Sequence, residues 1–128
     1  MRFSYPYTPE VRLGRVINPD SVGKERTRLS KEVVLAIREL MKQSQPDKAS
    51  RDLAAFIVMA LLQIAETIDP SVAAWEKRGY WVKADRFRME WGWTERLGNE
   101  MKQALIEDNW AGVAGAAVQI AQRLMKVQ

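Results

Sequence analysis

The stretch WEKRGYWVKADRFRMEWGW, Trp75–Trp93, decides how this chain is assembled, because it reads either as one long helix or as two. It carries four of the five tryptophans, interleaved with eight charged residues. Lys77-Arg78-Gly79 has the form of a helix end, with basic side chains in the last turn and glycine after them. Yet Trp75, Val82, Met89 and Trp93 stay in helical phase across Gly79. That phase predicts a continuous helix from Asp69-Pro70 to Ile106, bent at most near Gly79, Gly92 or Gly98. Aspartate is the expected cap, and proline suits the first helical position. Such a helix would be roughly 55 Å long at about 1.5 Å per residue, longer than any neighbour.

On a wheel the stretch divides into faces. Trp75, Val82, Met89, Trp93 and Leu97 form one apolar stripe, and Tyr80, Ala84, Phe87 and Trp91 form a second. Lys77, Asp85, Arg88 and Glu95 lie toward water with Trp81. Between the stripes runs a charged line of Glu76, Lys83 and Glu90, with Arg86 close by. Two apolar stripes on one helix call for contacts on both flanks: the body of the protein, and an arm, a second subunit or a ligand.

Upstream, LAAFIVMALL, Leu53–Leu62, is apolar almost all round and belongs at the centre of the fold. Its helix is capped by Asp47 or Ser50 and runs to about Ile68. A preceding helix starts at Ser30 as N-cap and presents Val33, Ile37, Leu40 and Met41 at helical spacing, ending at Gln45-Pro46. A last helix covers Asn109 to Lys126, with Asp108 as cap and Val113, Ala117, Ile120 and Leu124 as its stripe. Gly112 and Gly115 within it mark close helix approach. Residues 1–29 are interrupted by Pro6, Pro9, Pro19, Gly14 and Gly23 and read as an extended N-terminal arm. The arm holds Phe3, Tyr5, Tyr7, Val11, Leu13, Val16 and Ile17 to bury, on the body or on a second subunit. The expected architecture is therefore all-α: a single-domain bundle of about four helices over residues 30–128, with an irregular arm over 1–29.

Composition narrows the chemistry. The chain has 128 residues, no cysteine and no histidine. Thiolate nucleophiles, disulfides, zinc-thiolate sites and every histidine-based relay are excluded. Glu-x-x-His pairs of a di-metal bundle are likewise missing, and no phosphate-binding glycine loop occurs, so neither metal nor cofactor is expected. The N-terminus lacks the apolar core of a signal peptide, and ten apolar residues fall short of the roughly 20 that span a bilayer. The expectation is a cytoplasmic protein without a membrane partner. Net charge is +4, its excess concentrated in the arm and the tryptophan stretch.

Three functions follow as expectations, in order. The first is association with itself or another protein through Trp81, Phe87, Arg88 and Trp91, residue types that dominate interface energetics. The second is binding of single-stranded nucleic acid by the basic-aromatic helix 77–88, with Lys77, Arg78, Lys83, Arg86 and Arg88 on phosphates and aromatic rings stacking on bases. The third is an enzyme built on a polar cluster of Glu76, Tyr80, Lys83, Arg86 and Glu90, with a glutamate as acid or base. The simplest account of the same charges is pairing along the helix surface.

Overall fold

A computed structural model describes the backbone of residues 19–127 and the side chains of residues 21–125. Six helices make up the described chain: α1 (Pro19–Met41), α2 (Lys48–Glu66), α3 (Ile68–Lys77), α4 (Trp81–Trp91), α5 (Trp93–Ile106) and α6 (Trp110–Val127). No strand occurs among the described residues. Helices α1, α2, α5 and α6 form a four-helix bundle, and α3 and α4 form a helical hairpin inserted between α2 and α5.

The bundle core is aliphatic. Ile57, Leu61 and Ile64 of α2 are fully buried against Val33 and Ile37 of α1, Leu97 and Met101 of α5, and Val113, Ile120 and Leu124 of α6. Each such side chain contributes about 1.5–3 kcal/mol by leaving water. The expected stripe of the last helix is buried throughout, and that of the first is buried at Val33, Ile37 and Leu40 but not at Met41, which is exposed. The apolar segment from Leu53 lies at the centre through Ile57, Val58 and Leu61, while its Phe56 and Met59 face outward. Lys48–Lys77 as a whole is long and apolar enough to cross a membrane by length and composition. In this fold it is two helices, of which Ile57, Leu61 and Ile64 fill the core. Helix α5 crosses α2 closely at Gly98, where a Cβ would lie 3.0 Å from a Leu62 methyl and 3.3 Å from the Leu61 Cβ.

The starts of the first and last helices differ from expectation. The first helix begins at Pro19, not Ser30, so its first eleven residues fall within the stretch read as arm. Proline at a first helical position loses no hydrogen bond, and its restricted φ already suits the helix. Ser30 sits buried in mid-helix. Residues 1–18 of the expected arm lie outside the described residues. The last helix is capped by Asn109, whose side-chain oxygen accepts from the Gly112 amide at 3.0 Å. Asp108 instead takes a left-handed conformation at φ 60° and ends α5. The Asn109 amide donates to the Ala104 carbonyl at 2.8 Å, and Asp108 pairs with Arg51 of α2 at 2.6 Å. Gly112 does stand close to Ala104 of α5, while Gly115 faces open space.

Of the two candidate caps of α2, Asp47 is the one used, and Ser50 lies in the first turn. Asp47 accepts from the Ser50 amide at 2.9 Å, and the Ser50 hydroxyl donates to the Gln45 carbonyl at 2.7 Å. The Ser50 amide first, and then the Ser50 hydroxyl at 3.0 Å, hold the Asp47 carboxyl below the usual aspartate range.

The continuous helix from Pro70 to Ile106 does not form. It starts earlier, at Ile68 after Thr67, because Pro70 cannot donate to the Glu66 carbonyl and so separates α3 from α2. It then breaks twice. At the first break Gly79 adopts φ 82°, a conformation that strains residues with a Cβ. Its amide donates to the Glu76 carbonyl at 2.9 Å, and the Tyr80 amide donates to Trp75 at 2.9 Å. The Trp75 and Tyr80 rings meet across the turn at 5.9 Å. Those three contacts close the end of α3 and send α4 back along it. The second break is at Gly92, where a Cβ would meet the Arg88 carbonyl oxygen at 2.9 Å.

Folding back destroys the phase that suggested continuity. Trp93 and Leu97 are buried in the bundle core, but Val82 and Met89, assigned to the same stripe, are exposed. The second stripe is the one that packs inward. Ala84 is fully buried against Ile68 and Val72, with Phe87, Trp91 and Trp75 around them.

Candidate interaction surface on the helical hairpin

The hairpin is held to the bundle by a residue that the sequence reading left in the arm. Arg26 of α1 donates to the hydroxyls of Thr67 and Ser71, each at 3.1 Å. Its guanidinium lies 4.6 Å from the Phe87 ring centre and 5.4 Å from that of Trp91. Those two rings are 6.4 Å apart, so the cation rests on an aromatic pair. Burial lowers the affinity of Arg26 for its proton, and Glu90 opposes that effect. The signal was periodicity. Val22, Arg26, Leu29 and Val33 recur at four, three and four residues, which continues the buried stripe of α1 backward. Gly23 and the assumed start at Ser30 concealed it.

A second cation sits within the hairpin itself. The Lys83 ammonium lies 5.1 Å from the Trp75 ring centre and 5.4 Å from that of Tyr80. Glu76 of α3 and Arg88 of α4 also bridge the two arms, at 3.7 Å and partly exposed. The candidate polar cluster is thus divided. Tyr80 and Lys83 meet around Trp75, Glu76 turns to Arg88, Arg86 is exposed, and Glu90 lies within electrostatic range of Arg26. A cleft of about 540 Å³ is lined by Glu66, Asp69, Arg88 and Glu95 beside Leu62 and Ile68. Of the cluster's five residues it includes none.

The four interface candidates separate in the same way. Phe87 and Trp91 are half-buried beneath Arg26, and Arg88 is exposed but engaged with Glu76. Trp81 is 61 % exposed at the start of α4. Val82 at 68 % and Met89 at 76 % share the outward side of that helix, opposite Ala84. The sequence places these two on one apolar stripe with Trp93 and Leu97, which are buried, and does not single them out as surface. Asp85 and Arg86 lie between them, and both are exposed. Of the nucleic-acid candidates, Lys77, Arg78 and Arg86 are exposed, whereas Lys83 and Arg88 are occupied as described.

Helix α4 therefore carries three large exposed apolar side chains, Val82 and Met89 on its outward side and Trp81 at its first turn, while Ala84 fixes its other side to the body. Single exposed apolar groups are ordinary on protein surfaces; here Val82 and Met89 share one side of α4 two turns apart, with Trp81 roughly a quarter-turn round the helix from them. Among described residues no group of three or more acidic side chains is placed to hold a metal ion. No known protein family, no curated protein and no solved structure matches this chain.

Proposed function

We propose that this protein is an association module, and that the α3–α4 hairpin is the part it offers to a partner. The observation that supports this is the exposure of three large apolar side chains on α4, Trp81, Val82 and Met89. Their burial in a complex would remove apolar area from water without disturbing the bundle core, since none of the three belongs to it. Trp81 is the natural anchor, because tryptophan carries a large share of contact energy where it is buried at interfaces. A homo-oligomer is the simplest partner to test.

Light scattering over a concentration series checks this. The full chain is expected to exceed the mass of one chain at tens of micromolar. A Trp81→Ser, Val82→Ser, Met89→Ser variant is expected to stay at that mass with unchanged helix content. One chain mass for both proteins at every concentration removes self-association.

Binding of single-stranded nucleic acid is a second reading. It is favoured by exposed Trp81 beside exposed Lys77, Arg78 and Arg86. Its test is titration with a labelled oligonucleotide at two salt concentrations. Phosphate contacts predict tighter binding as salt falls. No binding at low salt removes this reading.

A further inference from the structure

The bundle carries a second apolar surface, and its shape is the reverse of the hairpin's. Between α1 and α6 lies a groove of about 260 Å³ lined by Val34, Ile37, Arg38, Met41, Ala121 and Met125. A cavity of about 150 Å³ takes up a benzene ring, so this volume admits the larger indole. Met41 and Met125 at the rim are strongly exposed, and methionine side chains repack readily around an entering group.

From this and the α4 face, we propose that Trp81 of one copy inserts into the α1–α6 groove of another copy. The inference rests on the association reading above and adds the site that receives the hairpin.

Charge offers the groove a counterpart on α4. Arg38 lines the groove and has no ion pair among the described residues. Asp85 stands one helical turn beyond Trp81, on the same side of α4, and likewise has no such pair. An indole entering the groove brings the Asp85 carboxylate toward the Arg38 guanidinium. Val82 and Met89 then lie against the methionine rim.

Position selects a second copy over the same one. The hairpin contacts α1 at Arg26, and the groove opens at Val34–Met41. The middle of the groove is roughly 17 Å farther along the helix at 1.5 Å per residue. Knob and groove thus use different surfaces of each chain. The contact is head-to-tail, which closes into a ring or extends as a filament.

Complementation between full-length variants tests this. A chain without the knob, Trp81→Ser, and a chain with a filled groove, Ala121→Trp, are each expected to associate about tenfold more weakly or worse. Mixed in equal amounts they are expected to form a heterodimer and stop there, because each supplies the half that the other lacks. Two exposed-residue variants guard against a folding artefact. Arg38→Asp and Asp85→Arg should each weaken association, and the double variant should recover it.

Wild-type association that persists in Ala121→Trp and Arg38→Asp would overturn the groove while leaving association through α4 standing. Loss of stability in Ala121→Trp with no change in mass would also overturn it, since the groove would then be filled within one chain. A wild type that never exceeds one chain mass would overturn both proposals.

Discussion

The bundle and the hairpin are held by different forces. In the bundle, four helices share one aliphatic core, and its largest members are wholly shielded. In the hairpin, the buried cluster is only Ile68, Val72 and Ala84, extended by three half-exposed aromatic rings and two cations. Burial of aliphatic area is non-directional and accumulates with size. Cation-aromatic contacts depend on placement and contribute roughly 0.5–2 kcal/mol each. The hairpin is therefore the less securely held unit, while its outer face displays the chain's exposed tryptophan. A contact surface on a lightly held element can adjust to a partner without opening the core.

The largest expected effect breaks both regions together. Leu61→Ala removes a fully buried side chain at the α2–α5 crossing and is expected to cost about 2–5 kcal/mol. Urea denaturation should show one cooperative transition at a lower midpoint. Separate transitions for bundle and hairpin would mean that the core does not support the hairpin.

Arg26→Met should divide the regions. It removes two hydrogen bonds from a charged donor and the contact with Phe87 and Trp91, at an expected cost of about 1–3 kcal/mol. Amide hydrogen exchange should accelerate across α4 by about tenfold or more, while the centre of α2 changes little. Equal acceleration in both helices would remove the distinction between them.

Gly79→Ala tests the turn alone. There is room for the methyl group, so the cost is that of holding a non-glycine residue at positive φ, about 1 kcal/mol. The same exchange measurement should show loosening confined to α3 and α4. Unchanged exchange would mean that the turn carries no strain.

The smallest effect belongs to the bundle surface. Asp47→Ala should lower the melting temperature slightly at neutral pH by removing the α2 cap. Because the folded carboxyl is held below its unfolded value, its contribution is full above about pH 4 and disappears as pH falls through the folded value. The difference between wild type and variant should therefore shrink in acid. A difference that grows in acid would contradict the assigned hydrogen bonds.

The sequence revealed most of the bundle. The stripes of α1 and α6, the central placement of α2 and its Asp47 cap all follow from periodicity and capping chemistry, which are local. Helical phase alone could not decide whether α3 continues into α4. Trp75, Val82 and Met89 keep their spacing whether or not the backbone turns at Gly79. The local signal for the turn, Lys77-Arg78-Gly79, was present and was the better guide. Arg26 was obscured for a related reason: a charged residue at a core-facing position counts against a helix until its aromatic partners, some sixty residues away, are placed. The exposure of Val82 and Met89 was illegible for the same reason, since it depends on which side of α4 meets Ile68 and Val72.

Concentration-dependent hydrogen exchange tests the central claim, that the outer face of α4 is a contact surface, most directly. Full-length protein is labelled at low and at high micromolar concentration, and peptides covering Trp81–Trp91 are compared with peptides from α2. Exchange in α4 is expected to be slower at the higher concentration, with α2 unchanged. Identical exchange in α4 at both concentrations would contradict self-association through this face.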